Sequence, residues 1–253
     1  MTKTILVTGA TDGIGRLTAK MLAAKGHSLL LHGRSAEKLK AAASEMAGDA
    51  MTFRADLASP EDTAAMADDV RAKVGTLDVL INNAGVFKTP SPILANGQDV
   101  RFVVNMLAPY ALTKALLPII PKDGRIINLS SAAHAPIDFA AMRGGARLDD
   151  MSAYAQSKRG ITLWSAAMAQ DFPDGPTFLA VNPGSLLASK MVTEGFGVAG
   201  NDLRIGADIL CRLALDDAFA SESGRYWDND SGRFASVDRS QASAVMEALK
   251  ELT

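Results

Sequence analysis

Cysteine and histidine are scarce in this sequence. Its 253 residues include one cysteine, Cys211, and three histidines. A single cysteine excludes an internal disulfide framework and is typical of a reducing compartment, so we expect a cytoplasmic protein. His27, His32 and His134 lack the i, i+4 spacing or the neighbouring cysteine of a metal site. No metal is therefore expected.

Charge of one sign and long hydrophobic runs are also missing. The formal net charge is −2 without any block of basic residues, which argues against a nucleic acid or an anionic membrane surface as a partner. No uninterrupted apolar run approaches the roughly 18 residues that cross a bilayer. The first apolar stretch, residues 5–7, is too short for a signal peptide and leads directly into glycines. We expect no membrane span.

What is present is the composition of a folded α/β protein. Hydrophobic residues make up 48% of the chain and charged residues 21%, as in an ordinary globular domain. Short apolar runs alternate with helix-length segments, which is typical of a parallel sheet with crossover helices. We predict one doubly wound α/β domain over residues 1–253, with about seven strands. Six of these strands are predicted at residues 5–7, 28–32, 51–55, 77–81, 125–129 and 177–181.

Glycines follow the first predicted strand directly, in Thr8-Gly9-Ala10-Thr11-Asp12-Gly13-Ile14-Gly15. Glycines at such a place let the backbone approach a pyrophosphate, which then lies at the N-terminus of the next helix, where free N–H groups favour anions. An ordinary glycine turn would look similar, but its position one strand into a βαβ unit favours a dinucleotide site. The spacing T-G-x-x-x-G-x-G differs from the G-x-G-x-x-G fingerprint.

Tyr154 and Lys158 lie four positions apart in a long predicted helix, residues 152–172. Side chains at i and i+4 share one helix face. A nearby ammonium stabilises a phenolate and lowers the pKa of a tyrosine towards the range of a general acid or base. The alternative is a surface Tyr–Lys pair on an amphipathic helix. A second long helix is predicted at residues 98–120, with Pro109 either kinking it or tolerated by local packing.

Three motifs together resemble one family. The glycine turn, Asn82-Asn83-Ala84-Gly85 after the fourth strand, and Tyr154-Ala155-Gln156-Ser157-Lys158 occur in the order found in short-chain dehydrogenases/reductases. The resemblance runs from the first strand to the last helix. It implies a Rossmann-like fold, a nicotinamide cofactor and oxidoreductase activity.

The resemblance also implies a catalytic tetrad. Tyr154 would exchange a proton with the substrate oxygen, and Lys158 would lower the pKa of that tyrosine and hold the cofactor ribose. Ser131, the second serine after the fifth strand, would polarise the substrate carbonyl, although it could also be a simple turn residue. Asn105, inside the first long helix, would hold a water of the proton relay.

The end of the second strand bears on the choice between NAD and NADP. An acid there would bind the ribose 2′-hydroxyl of NAD, whereas an arginine accommodates the 2′-phosphate of NADP. The strand ends with Gly33, where NAD-preferring relatives usually carry Asp, followed by Arg34, which offers a bidentate fork to phosphate or is a solvated turn residue. Asp12 departs from the pattern, because many NADP-preferring relatives carry a basic residue there. We predict a preference for NADP(H).

The resemblance assigns further residues to cofactor binding. Asp56 resembles the acid that contacts adenine, Pro183-Gly184 resembles the turn facing the nicotinamide, and Ser189 replaces a threonine usually found after that turn. The predicted set is Gly9, Thr11, Asp12, Gly13, Ile14, Gly15, Arg34, Asp56, Leu57, Asn83, Ala84, Gly85, Tyr154, Lys158, Pro183, Gly184 and Ser189.

Two irregular segments concern the substrate. Residues 132–151 lengthen the connection from Ser131 to Tyr154 beyond that of most family members, which resembles the branch of retinol dehydrogenases and related carbonyl reductases. Residues 186–202 mix apolar side chains with glycines, as loops that close on a ligand do. Both are predicted substrate flaps, and they indicate a medium-sized, lipophilic carbonyl or alcohol as the small-molecule partner.

The predicted reaction is hydride transfer between nicotinamide and a carbonyl or alcohol carbon. One alternative is a non-catalytic NADP(H)-sensing regulator on the same fold, although such proteins usually lose the Tyr or the Lys. Sugar-nucleotide epimerases and dehydratases use a similar Tyr-x-x-x-Lys but need a longer region after Pro183. The helices at residues 98–120 and 152–172 are where relatives form dimers, so a homodimer or homotetramer is predicted.

Overall fold

The computed structural model describes residues 1–253, except for the side chain of Phe196. Its strands are β1 Thr4–Val7, β2 Ser28–Gly33, β3 Ala50–Arg54, β4 Val79–Asn82, β5 Arg125–Leu129, β6 Thr177–Asn182, β7 Arg225–Asp228 and β8 Arg233–Ala235. Its helices are α1 Gly13–Ala24, α2 Ala36–Ala43, α3 Pro60–Lys73, α4 Val100–Ile119, α5 Phe139–Met142, α6 Asp150–Asp171, α7 Lys190–Phe196, α8 Leu203–Leu215 and α9 Ala242–Leu252.

All eight strands form one sheet in the order β3-β2-β1-β4-β5-β6-β7-β8. The pairings from β3 through β7 are parallel, and only the β7–β8 pair is antiparallel. Every residue of β4, β5 and β6 is buried, as expected for parallel strands covered on both faces. The predicted doubly wound fold is confirmed. The strand order reverses beside β1, which places a ligand crevice at the carboxyl ends of β1 and β4.

Successive side chains of each strand enter two separate cores. Ile5 and Val7 pack with α1, α2 and α8 on one face of the sheet. Leu6, between them, packs with α3, α4, α6 and α9 on the other face. This division explains why β1 is apolar at every position from Ile5 to Val7 instead of alternating.

Helix α4 confirms the prediction of one long helix with an irregularity near Pro109. Residues Val103–Leu107 form a π turn, in which the N–H of Ala108 donates to the C=O of Val103. Pro109 has no N–H, so the C=O of Asn105 loses its ordinary helical partner. The irregular turn therefore lies at a predicted site residue, whose C=O cannot accept a bond from residue 109.

Helix α4 is also long and apolar enough to cross a membrane by length and composition, with a mean hydropathy of 1.4 over its most apolar window. It contains no long uninterrupted apolar run, because Arg101, Asn105 and Lys114 interrupt the pattern. Of that window 67% is buried inside the fold, as in the core helix of a globular domain.

The insertion at residues 132–151 is docked on the body of the protein. Arg101, 1% exposed, pairs with both Asp99 and Asp150, and Arg147 donates to the C=O of Gly97 at 2.7 Å. Across the chain, Gln241 just before α9 bonds to both backbone groups of residue 137. The insertion thus fixes the N-terminal end of α6, which carries Tyr154.

Helix α6 is covered within the single chain. All its residues from 155 to 166 are buried, and α9 packs against it. This covering reduces the part of α6 that a second copy could contact. The homodimer or homotetramer stays a prediction.

Candidate active site

A cavity of about 330 Å³ lies at the carboxyl ends of β1, β2, β4 and β5. Of the residues predicted to bind the cofactor, all except Asp56 and Gly184 line it. Ser131 and Asn105 stand behind this lining. Residues that line the cavity without having been predicted are His32, Gly33, Ala58, Val86, Val100, Val104, Leu129, Ser130, Lys190 and Met191.

The glycine turn is pressed against the segment after β4, so that only glycine fits. A Cβ on Gly15 would lie 2.3 Å from Asn83 Nδ2 and 2.5 Å from Gly9 O. Asn83 Nδ2 donates to the C=O of Thr8 at 2.8 Å and holds the turn there. Gly9, with φ +65°, and Gly13, with φ +52°, are in the left-handed region, which favours glycine. Helix α1 begins at Gly13 and presents its N-terminus to the cavity, a place that suits a phosphate.

Replacing Gly15 by Ala is expected to abolish dinucleotide binding and to lower thermal stability. The added Cβ cannot avoid Asn83 and Gly9 O, and overpacking of this kind costs about 1–3 kcal/mol. A fluorescence titration with NADPH and a thermal melt measure the two effects. Gly75→Ala is the matched control, because a Cβ on Gly75 would meet nothing within 4 Å. Unchanged binding in Gly15→Ala would refute this account of the turn.

The β2 end of the cavity has no room for an acid. A Cβ on Gly33 would lie 2.5 Å from Thr11 Cγ2. Arg34 is exposed at the rim, and no hydrogen bond or ion pair among the described residues involves its side chain. Asp56 instead accepts a hydrogen bond from the N–H of Ala58 at 3.0 Å within its own turn. Its neighbours line the cavity, and its predicted contact with adenine stays a prediction.

His32 was not predicted, yet it joins two parts of this site. Gly9 N donates to His32 Nδ1 at 3.2 Å, and His32 Nε2 lies 3.2 Å from the C=O of Ala55. Burial lowers the pKa of His32 to about 4, so the ring is neutral, with Nδ1 accepting and Nε2–H donating. The glycine turn and the loop after β3 are thereby held together. The sequence feature that could have indicated this role is a histidine at the end of an otherwise apolar predicted strand.

Tyr154 and Lys158 lie at the inner end of the cavity, on the first turns of α6. The Lys158 ammonium is 5.7 Å from the centroid of the Tyr154 ring and donates to the C=O of Leu129 at 2.7 Å. Burial lowers the pKa of Lys158 to about 8. Burial also raises the pKa of Tyr154, and the hydrogen bond from the Ser131 side chain opposes that shift. Burial outweighs the Ser131 hydrogen bond, so the pKa of Tyr154 lies above its ordinary value. The lowering of that pKa by Lys158 stays a prediction.

The two serines after β5 have different tasks. Ser131 contacts Tyr154 and is fixed by the Tyr226 hydroxyl, which donates to the Ser131 C=O at 2.9 Å. Ser130 Oγ lies 2.6 Å from Thr162 Oγ1 and bonds the C=O of Lys158 at 2.9 Å. Ser130 therefore ties β5 to α6, whereas Ser131 is the serine that faces the tyrosine.

His134 also belongs to the support of this region. Its Nε2 is 2.9 Å from Ser130 Oγ, and its ring packs on Tyr226 with centroids 5.3 Å apart. Burial lowers the pKa of His134 to about 4, so it is neutral at physiological pH. In the described part of the chain, no group of three or more His, Cys, Asp and Glu residues could hold a metal ion.

The Asn105 side chain is fully occupied by protein groups. Its Oδ1 accepts from Val86 N at 2.7 Å, while its Nδ2 donates to Val86 O at 2.9 Å and to Ser157 Oγ at 3.0 Å. Asn105 thus fixes the strand end after β4 and connects it to α6. Its backbone C=O cannot accept from residue 109, because Pro109 has no N–H, and its role in holding a water stays a prediction.

The second predicted flap borders the cavity, whereas no residue of 132–151 lines it. Helix α7 begins after Ser189, whose Oγ accepts from Val192 N at 3.4 Å. A Cβ on Gly195 would lie 2.7 Å from the Phe87 ring, which contacts Tyr154 edge-on at 5.1 Å between centroids. We call Ser189–Phe196 the lid. The role of residues 132–151 as a substrate flap stays a prediction.

Residues 3–196 match the family described as short chain dehydrogenase. Retinol dehydrogenase 13 of Homo sapiens is 32% identical over 251 residues, which cover 89% of this chain and 76% of that protein. Short-chain dehydrogenase chry4 of Gibberella zeae is 31% identical over 259 residues, or 98% of this chain and 96% of that protein. A short chain dehydrogenase from Burkholderia cenocepacia in complex with NADP has a TM-score of 0.73 at 27% identity, covering 89% of this chain and 95% of its own.

The family match covers the glycine turn, the segment after β4 and the Tyr–Lys helix, and it continues through the lid. These are the segments that meet around the cavity. The chain therefore belongs to the short-chain dehydrogenase/reductase family, as an oxidoreductase of the retinol dehydrogenase-like branch.

Proposed function

We propose that this protein is an NADP(H)-dependent reductase of medium-sized, lipophilic carbonyl compounds. The observation that carries the proposal is the position of Tyr154 beside the buried Lys158 ammonium, 5.7 Å from its ring centroid, in a cavity that the glycine turn also lines. A proton donor for a carbonyl oxygen thus shares one cavity with an anion-binding turn.

The residues of the cavity suit a dinucleotide. The free N–H groups at the start of α1 and the closely packed turn at Gly15 are suited to the pyrophosphate. Arg34 would meet the adenosine ribose at the rim, and Pro183 and Ser189 would border the nicotinamide. A nicotinamide cofactor, when bound, supplies the hydride at C4, from its pro-S side in this proposal.

The protein supplies the proton and the orientation. Because burial raises the pKa of Tyr154, its hydroxyl is protonated at neutral pH and can donate to a carbonyl oxygen that Ser131 also binds. The buried ammonium of Lys158 stabilises the phenolate left behind. A water on the backbone C=O of Asn105 would return the proton from solvent.

The preference for NADP(H) rests on charge at the rim. Arg34 is unpaired among the described side chains, and Gly33 leaves no space for an acid beside it. An unpaired guanidinium gains a charge-assisted, bidentate contact with a 2′-phosphate. The Burkholderia cenocepacia relative was crystallised with NADP, which supports the same preference here.

The substrate class rests on the lining and on the relatives. Val86, Val104 and Met191 form an apolar wall of the cavity. The lid packs on Phe87, which contacts Tyr154. The name of one relative, retinol dehydrogenase, indicates a lipophilic alcohol. We propose aldehydes or ketones of similar polarity for this protein.

Turnover with a panel of aldehydes, ketones and quinones tests the proposal, with NADPH and NADH compared by absorbance. Replacing Arg34 by Leu is expected to raise the KM for NADPH about 10- to 100-fold, because a charge-assisted contact is lost, and to leave the KM for NADH unchanged. Arg233→Leu, at an exposed position of β8, is the control. An NADH preference in the unmodified protein would contradict the role of Arg34.

A further inference from the structure

One ion pair crosses the mouth of the cavity between the lid and the glycine turn. Lys190 Nζ, on the first residue of α7, lies 3.3 Å from Asp12 Oδ2. Both residues line the cavity. A Cβ on Gly13 would lie 3.7 Å from Ser189 Cβ, so lid and turn are in close proximity here. Asp12 occupies the position where many NADP-preferring relatives carry a basic residue.

We propose that Lys190 is the phosphate-binding residue of the lid, and that it supplies the basic group which the glycine turn lacks at Asp12. The proposal rests on the proposed function, because the ligand is a phosphate of the dinucleotide. When the dinucleotide enters, the Lys190 ammonium leaves the Asp12 carboxylate and binds a phosphate instead.

The charges around the cavity support this exchange. Of the described residues that line it, Asp12 is the only carboxylate, whereas Arg34, Lys158 and Lys190 are basic. An uncompensated carboxylate would repel a phosphate at the N-terminus of α1. While the two are paired, Lys190 offsets the charge of Asp12, and its ammonium is held at the glycine turn, where it can meet an entering phosphate.

The ion pair is weak enough to be exchanged. The two side chains are 64% and 52% exposed, and exposed pairs of this kind contribute little to stability. A charge-assisted hydrogen bond to a phosphate inside the cavity is stronger. Asp12 remains useful when Lys190 leaves, because its Oδ1 accepts from Gly13 N at 2.8 Å as the N-cap of α1.

The exchange would also fasten the lid. Lys190 stands at one end of α7, and Gly195 at the other end packs on Phe87, which contacts Tyr154. A phosphate held by Lys190 therefore fixes the helix that covers the reacting groups. Phosphate binding would therefore help the lid to exclude water from Tyr154.

Direct binding of NADPH and NADH to Lys190→Gln, Asp12→Asn and the double variant tests the proposal without turnover. Asparagine keeps the N-cap of α1. We expect Lys190→Gln to weaken NADPH binding about tenfold, both with Asp12 present and in the Asp12→Asn background, because the contact to phosphate is direct. Asp12→Asn alone should bind NADPH at least as tightly as the unmodified protein.

The arms of this experiment separate the outcomes. A loss for both dinucleotides assigns the pyrophosphate, and a loss for NADPH alone assigns the 2′-phosphate. Lys190→Arg should bind like the unmodified protein, and so should Lys122→Gln, which removes an exposed lysine charge outside the cavity. If the effect of Lys190→Gln disappears in the Asp12→Asn background, Lys190 only neutralises Asp12 and the proposal is wrong. If the unmodified protein binds neither dinucleotide, the proposed function is overturned as well.

Discussion

Replacing Tyr154 by Phe is expected to lower kcat about a thousand-fold while NADPH remains bound. The phenyl ring keeps the edge-on contact with Phe87, so only the hydroxyl that faces Ser131 is lost. Positioned proton transfer contributes roughly 10²- to 10⁴-fold to a rate. Steady-state turnover with the best carbonyl of the panel measures the loss, and a fluorescence titration measures NADPH affinity.

Tyr110→Phe is the matched control for Tyr154→Phe. Tyr110 is a buried tyrosine on α4 that packs edge-on with Trp164, outside the cavity lining. Its variant should keep kcat within about twofold, as expected of a substitution that removes no contact to the reacting atoms. If Tyr154→Phe retains a comparable kcat, the assignment of the proton donor is wrong.

Replacing Lys158 by Met is expected to lower turnover about a hundred-fold or more. It should also remove the alkaline limb of the pH profile, which is the fall in turnover at high pH. Burial lowers the pKa of Lys158 to about 8, so its positive charge is present below that pH and is lost above it. Turnover of the unmodified protein should therefore fall above pH 8 or thereabouts, by about tenfold per pH unit. Tyr154 does not produce this limb, because burial raises its pKa from the ordinary value.

A pH profile of kcat from pH 6 to 10 measures both proteins under the same conditions. The Lys158→Met profile should be flat where the unmodified profile falls. Lys114→Met on α4, which removes an exposed lysine, should keep the full rate and the limb. Circular dichroism distinguishes a folding defect, since the C=O of Leu129 loses its donor in Lys158→Met. An unchanged limb in a folded Lys158→Met protein would contradict the role of the ammonium.

The elements that carry the site were predictable because they depend on local patterns. Strands β4 and β5 are mostly apolar, and burial on both faces favours such a composition. Strands β7 and β8 were not located, because strands of four and three residues that each begin with a charged residue carry too short an apolar pattern. Helix α4 was predicted, but its π turn depends on how Asn105 and Pro109 pack within the fold.

The partners of the site residues could not be predicted, because they come from distant parts of the chain. The pairing of Lys190 with Asp12 requires the lid to lie over the first turn, which no local pattern encodes. The same holds for the contact of His32 with Gly9. The rise that burial causes in the pKa of Tyr154 could not be predicted either, since spacing indicates which charge is near but not how deeply a hydroxyl is buried.

In the proposed reaction, this chain transfers a hydride from NADPH to a carbonyl carbon held at Tyr154 and Ser131. Mass spectrometry of the alcohol product, formed from the best carbonyl of the panel with NADPH deuterated at C4, tests it most directly. We predict one deuterium in the product from the 4S-labelled cofactor and none from the 4R-labelled cofactor. Product without label from either cofactor, or labelled only from the 4R form, would contradict the account.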